Sequence, residues 1–339
     1  MKTRAIRSLA FAALVALAIA PLAGQSAKNT YKVPRTAWGD PDLQGVWPGT
    51  DMVGTPLQRA ASFGDRNVLT EQEYQARQAA AAREHDEDNA EFNIEAVTSE
   101  QEARGTVGGP VSPPPHWLER GRPSYQASLI VDPPDGRMPP QTAATAQRML
   151  ALRDARAGRG PADSYEDRSL YDQCITRGVL GSILPVIYNN GNQIIQAPGV
   201  VALRNEMIHE TRFFYLDGRP HISPKIRSYM GDSRARWDGD TLVVETTNMF
   251  DRNGVGGNGG GQAFSAALKL TERFTRVDAD ILMYRATVDD PNTYTRPFTL
   301  EFPWRRDSNY GFFEYACHEG NHSLMNILSG ARADDAKTR

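Results

Sequence analysis

Histidine, carboxylate and arginine side chains placed close together are the groups that move protons and hold anions near neutral pH. In this chain they gather in three stretches. Residues 206–216 read EMIHETRFFYL and carry His209 and Arg212; residues 312–319 read FFEYACHE and carry Glu314 and His318. Residues 171–196 carry Cys174, Arg177, Tyr188, Asn190 and Gln193 among apolar neighbours. Read as a strand, 206–216 sets Met207, His209, Thr211, Phe213 and Tyr215 on one face and Arg212 with Phe214 on the other. An imidazole among apolar groups can be tuned by desolvation, so His209 is the first candidate for proton transfer. Arg212 then points away from it unless a bulge intervenes. His318 and Glu314 share a face of 312–318 and are the second candidates. Arg177 can clamp a carboxylate with two parallel N–H groups, with Tyr188 and Asn190 beside it. The bland alternative for all of these is satisfaction of core or backbone polar groups.

Positioning such groups is the work of a β-rich region. Residues 193–197, 200–205, 206–216, 241–247, 268–277, 281–288, 298–304 and 312–318 alternate with a period of two and are separated by turn residues, as strands do. Asp217-Gly218 and Asp238-Gly239 suit two-residue type I′ hairpins, and 277–280 a slightly longer turn. Such spacing predicts a mainly β protein, α+β overall, built as an antiparallel up-and-down barrel or a strongly curved sheet. Across the 278–280 turn, a register that pairs Arg276 with Ile281 also sets Glu272 opposite Arg285. Inside a barrel that pair would be a substrate-binding signal; outside it is an ordinary surface bridge.

The first 181 residues have another character. Residues 29–63 are rich in Gly, Pro, Asp and Thr, with Trp38 and Trp47 as aromatic anchors for an extended arm. Thr70 and Glu73 make a capping box for a helix over 71–83, and 142–156 reads as a second helix. Residues 84–102 hold eight acids and read as solvated surface. A short strand is expected at 128–132, ended by Pro133-Pro134-Asp135-Gly136. The domain plan is therefore a leader over 1–27, arm and helices over 28–181, and a barrel-like part over 182–339 closed by a short helix at 323–333. The Gly-rich run 254–261 has no Lys-Ser/Thr ending and reads as a flexible loop at the rim, not a phosphate loop.

Residues 1–27 combine Lys2, Arg4 and Arg7, an apolar run and a small-residue end, the pattern of a secretory signal peptide. The apolar run is shorter than the roughly 20 residues a membrane span requires. Losing those three of 38 basic residues against 41 acids leaves a charge of -6. A near-balanced, 23% charged chain lacks a nucleic-acid footprint. An exported chain with two cysteines suggests a Cys174–Cys317 disulfide or two separately buried thiols. His318 and His322 have the spacing of helical zinc ligands, but Gly320 argues against a helix there; no metal and no organic cofactor are expected. Gly-x-Ser-x-Gly and Cys-x-x-Cys-His are both absent from the sequence.

Six blocks resemble a poorly characterised family of exported acidobacterial and proteobacterial proteins: PDLQGVW (41–47), ASLIVDPPDGRMPP (127–140), CITRG (174–178), EMIHETRFFYLDGRPH (206–221), MGDSRARWDGDTLVVETT (230–247) and YACHEGN (315–321). Ala235 stands where that family usually has Gly, and His322 where it has an aromatic residue. The resemblance implies a periplasmic or secreted protein with a lipocalin-like barrel, and no catalytic residue by transfer. Two functions are expected: an enzyme using acid-base chemistry on a small metabolite as a lyase, isomerase or hydrolase, or a carrier of an apolar small molecule. The catalytic candidates are His209, His318, Glu314 and Arg212. The binding candidates are Arg177, Tyr188, Asn190, Glu272 and Arg285. The partner is a small molecule, not nucleic acid or membrane.

Overall fold

The computed structural model describes residues 31–89, 118–256, 260–261 and 263–338. The leader, the acidic stretch beyond residue 89 and residues 257–259 and 262 of the Gly-rich loop lie outside the described residues.

Ten strands form one curled mixed sheet, a half-barrel, so the mainly β, α+β expectation holds in its curved-sheet form. In chain order they are β1 (Gly45–Val46), β2 (Ile130–Asp132), β3 (Asn192–Ala197), β4 (Val200–Asn205), β5 (Thr211–Tyr215), β6 (Asp232–Asp238), β7 (Thr241–Thr247), β8 (Lys269–Arg276), β9 (Ile281–Asp289) and β10 (Phe298–Arg305). Their order in space is β1-β3-β4-β5-β6-β7-β8-β9-β10-β2. Neighbours are antiparallel except β5 and β6, which run parallel and share one backbone pairing, Tyr215 with Arg234. A parallel neighbour cannot be reached through a tight turn. The chain therefore returns through residues 216–231, and Asp217-Gly218 bends this connection instead of making a hairpin. At the β6–β7 turn, Asp238 pairs with Thr241 and only Gly239 takes a positive φ, the pattern of a II′ turn, where type I′ was expected.

Alternation decides what fills the concave face. Leu270, Phe274, Leu282, Tyr284, Ala286, Phe302 and Trp304 are buried in one cluster with Leu203, Phe214 and Val244. Tyr284 stacks on Trp304 with ring centroids 5.1 Å apart. In the middle of this apolar set lies an ion pair. Arg212 donates to Glu272 through Nη1 (2.9 Å) and Nη2 (2.5 Å), and Tyr284 donates its hydroxyl to Glu272 at 3.0 Å. Arg212 also donates to Thr246 Oγ1 at 3.0 Å and sits over the Phe214 ring. Burial alone would push the Arg212 guanidinium down, but the facing Glu272 charge prevails and holds it up. This one side chain reaches from β5 across β6 and β7 to β8, where the backbone ladder is thinnest.

Several expected elements fall differently. The 206–216 strand is broken: Met207–His209 is a 3-10 turn in which Ile208 and His209 have positive φ, and the strand starts at Thr211. Residues 312–318 form no strand; the run is irregular and is held by the Cys174–Cys317 disulfide and by the Phe313 N–Glu206 hydrogen bond. β6 was not foreseen, since its Asp-Ser-Arg-Ala-Arg-Trp-Asp run is polar on its outer face. Glu272 does not oppose Arg285. Val277 and Asp278 both donate to the Ile281 carbonyl, so the turn absorbs one more residue and the register pairs Arg276 with Leu282. A slip of one residue exchanges faces. Arg285 therefore lies on the outer face, paired with Glu301 at 2.8 Å, while Glu272 points into the core.

The N-terminal arm spans the gap between the two sheet edges. β1 extends β3, and the Pro56 and Leu57 carbonyls accept from Leu129 and Ile130 at β2. Trp47 is fully buried in the core cluster, but Trp38, expected as a second anchor, is 39% exposed. The helix α1 (Glu71–Asn89) starts at the expected capping box: Glu73 N donates to Thr70 Oγ1 (3.3 Å) and Thr70 N to Glu73 Oε2 (2.8 Å). The helix α2 (Ala143–Ala155) is capped by the Thr142 hydroxyl. Two further helices, α3 (Gly178–Gly181) and α4 (His322–Thr338), flank the region described below. No helix among the described residues is long and apolar enough to cross a membrane.

Removing one partner of the buried ion pair leaves an uncompensated charge. Arg212→Met is thus expected to lower unfolding free energy by roughly 3 to 5 kcal/mol, and Arg212→Met/Glu272→Leu to cost clearly less than that single change. Urea unfolding of both variants checks the order.

Candidate functional site

Four stretches meet beside the open end of the β3–β4 hairpin, where Asn192 pairs with Asn205. They are the loop before α3, the 186–191 loop entering β3, the 206–209 turn leaving β4, and the irregular chain 310–321. Cys174 and Cys317 are joined by a disulfide with Cα atoms 5.6 Å apart, tying the first stretch to the last. Asn321 Nδ2 donates to the Asp172 carbonyl (2.9 Å) as a second tie. Gly191 lets the third element approach. A Cβ there would lie 2.6 Å from Glu206 Oε2 and 2.7 Å from the Tyr310 ring.

Between these stretches opens a cleft of about 920 Å³, within the roughly 300–1,000 Å³ typical of small-molecule sites. One part of its lining is a tyrosine cluster. The Tyr171 hydroxyl lies 2.9 Å from that of Tyr188 and 3.2 Å from that of Tyr315. Burial raises all three phenols, Tyr188 up to about 12. They therefore keep their protons at neutral pH and serve as donors. Behind them the Arg177 guanidinium lies 5.2 Å from the centre of the Tyr171 ring. Arg177 is 4% exposed, its Nε has no hydrogen-bond partner, and it makes no ion pair among the described residues. Burial pushes this guanidinium down from its ordinary value, against the pull of the nearby tyrosines and Glu210.

The other part of the lining is acidic. The Tyr310 hydroxyl lies 2.8 Å from Glu119 Oε1 and 2.7 Å from Glu206 Oε2, one phenolic proton facing two carboxylates. Burial, then the Glu119 charge, raises the Tyr310 phenol. Glu119 also accepts from the backbone of Asn189 and Asn190 and from the Asn190 amide. Glu206 accepts from Asn189 Nδ2, Gly191 N and Phe313 N. Glu314 is exposed and also lines the cleft.

The structure brings together some of the expected residues and separates others. Tyr188 and Glu314 line the cleft, Asn190 braces its loop, and Arg177 lies beneath its tyrosines. His209 is at its margin, exposed and not on an apolar face, because the 207–209 turn breaks the alternation. Its Nδ1 donates to the Tyr315 carbonyl at 2.9 Å. His318 is exposed in a turn outside the lining, and His322 opens α4, so the two do not share a helix. Among the described residues no group of three or more His, Cys, Asp or Glu is arranged to hold a metal ion. Arg212 and Glu272 are in the core, and Arg285 is on the outer sheet face. Tyr171, Tyr315, Tyr310, Glu119 and Glu206 escaped the sequence reading. Tyr171 and Tyr315 flank the two cysteines closely, which is a signal for those two, while Glu119 and Glu206 have no such neighbour. No family model, curated protein or solved structure matches the chain.

Two outcomes are expected from this geometry. Below the ordinary tyrosine value of 10.0 the folded and unfolded chains both hold the Tyr188 proton. Between that value and about 12 only the unfolded chain releases it, so stability falls as pH rises through this window. Thermal melting across that range will show a shallower alkaline decline in Tyr188→Phe. Separately, Gly191→Ala is expected to displace Glu206 or Tyr310 and open the acidic end, read as faster amide hydrogen exchange at Phe313 with the sheet core unchanged.

Proposed function

We propose that the chain is an exported enzyme that performs acid-base chemistry on a small metabolite in this cleft, without an organic cofactor. The observation that carries the reading is the hydrogen-bonded set of Tyr171, Tyr188 and Tyr315 hydroxyls at the cleft wall. Phenols kept protonated by burial are general acids for an oxygen that gains negative charge during reaction. Glu314, in the same cleft, is the group suited to accept a proton from carbon. In an isomerase, Glu314 would take a C–H proton next to a carbonyl, a tyrosine would donate to the developing enolate oxygen, and both protons would return with the double bond shifted. In a lyase the tyrosine proton would leave with the β-substituent. His209 fits a supporting role, holding the Tyr315 backbone.

The carrier alternative has less support, because the half-barrel's concave face is occupied by Phe214, Phe274, Tyr284, Phe302 and Trp304. Export is supported by the basic leader read from the sequence and by the Cys174–Cys317 disulfide.

Incubating the oxidised protein in D₂O with a panel of small hydroxy acids, keto acids and esters, and following C–H exchange, elimination and hydrolysis by NMR, tests the reading. Turnover is expected to fall by about 100-fold or more in Tyr188→Phe/Tyr315→Phe, the usual worth of a general acid. Turnover unaffected by that double change would remove the tyrosines from the chemistry, and stoichiometric uptake of an apolar dye with no turnover of any compound would replace the enzyme with a carrier.

A further inference from the structure

A guanidinium held out of water without a counter-charge is costly, and proteins keep one where something else supplies the negative partner. Arg177 comes near this case: it is 4% exposed, its Nε is unpartnered, and it makes no ion pair among the described residues. The Glu210 charge pulls on it from a distance but makes no hydrogen bond to the guanidinium; its Oε2 accepts from the Thr176 and Ser182 hydroxyls at 2.9 and 3.0 Å. What separates Arg177 from the cleft is the Tyr171 ring, and Tyr171 shares its hydroxyl contacts with Tyr188 and Tyr315. All three tyrosines line the cleft. Among the described residues the three phenols have only one another as hydroxyl partners. A ligand oxygen reaching them would accept hydrogen bonds that now close within the cluster.

We propose that the cleft recognises a small monocarboxylate, its charge received by the Tyr171, Tyr188 and Tyr315 hydroxyls with Arg177 behind them. One buried cation matches one negative charge. A phosphate dianion would meet that same single cation and also Glu119, Glu206 and Glu314 elsewhere in the lining, so the cleft's own charge disfavours it. Glu119 and Glu206 are already engaged by protein donors, but Glu314 is exposed in the lining and suits a ligand whose other end carries hydroxyl donors. A hydroxylated carboxylic acid therefore fits both parts of the lining. The inference rests on the proposed site but not on its chemistry, because it concerns recognition alone. Arg177 acts here through the tyrosines and is a positioning residue.

The test is equilibrium binding by calorimetry on the full oxidised protein, with glucuronate against glucuronamide, benzoate against benzamide, and inorganic phosphate. Wild type is expected to bind each acid at least about tenfold tighter than its amide, glucuronate tighter than benzoate, and phosphate more weakly than either. Arg177→Met should erase the acid-over-amide preference while Arg177→Lys restores part of it, a rescue that a purely packing role does not give. Should Arg177→Met fail to fold, Tyr188→Phe/Tyr315→Phe retains the rings and should lose the same preference. Amides binding as well as acids, phosphate binding tightest, or both folded variants keeping the wild-type preference would each overturn the proposal. Acid-selective binding without any turnover would uphold it while removing the enzyme reading. Turnover of neutral compounds with no acid preference would do the reverse.

Discussion

The fold depends on a single buried ion pair placed where the hydrogen-bond ladder nearly gives out. β5 and β6 are joined by one parallel pairing, so the sheet would otherwise be two antiparallel pieces meeting at a weak seam. Arg212 crosses that seam in the interior and ends on Glu272, with Thr246 and Tyr284 adding further hydrogen bonds and Arg212 Nε left without a partner. Two charges in an apolar interior are tolerable only when each faces the other in this way. The aromatic packing of Phe214, Phe274, Tyr284 and Trp304 surrounds the pair and excludes water from it. Residues with the chemistry of an active site thus hold the architecture together.

Because the concave face is filled, the cleft forms outside it. Loops that carry no ladder bonds of their own surround the end of the β3–β4 hairpin, and covalent and polar ties replace secondary structure there. The disulfide fixes 310–321 against the loop before α3, and Glu206 gathers Asn189, Gly191, Tyr310 and Phe313 around one carboxylate. Chain segments 171–191 and 310–321 are far apart in sequence, and neither could present its tyrosines without the other. Burial then keeps those phenols protonated, and the cation beneath them makes the wall receptive to negative charge.

Much of the frame was legible in advance. Period-two alternation located most strands within a residue or two, the Thr70–Glu73 capping box marked the start of α1, and the cysteine pair was weighed as a disulfide. The misplacements have specific causes. An alternating run does not reveal a positive φ at Ile208 and His209, so the 206–216 strand looked continuous and His209 looked buried. The 312–318 run has strand composition, but the disulfide and the Glu206 carboxylate hold it in the loop cluster, where it joins no ladder. The Glu272–Arg285 pairing failed because one extra residue in a turn exchanges the faces of everything beyond it.

By itself, then, the sequence determined the local preferences: which stretches alternate, where caps and turns fall, and that two cysteines were available to join distant segments. These follow from nearest-neighbour physics along the chain. Which charged residue became core and which became cleft was decided only by tertiary structure. Arg212 found Glu272 sixty positions away, and Arg177 came to lie behind Tyr171 and near Tyr315 because a disulfide spanning 143 residues drew their segments together. Burial and partnership, which set what an ionisable group can do, belong to contacts that sequence spacing does not encode.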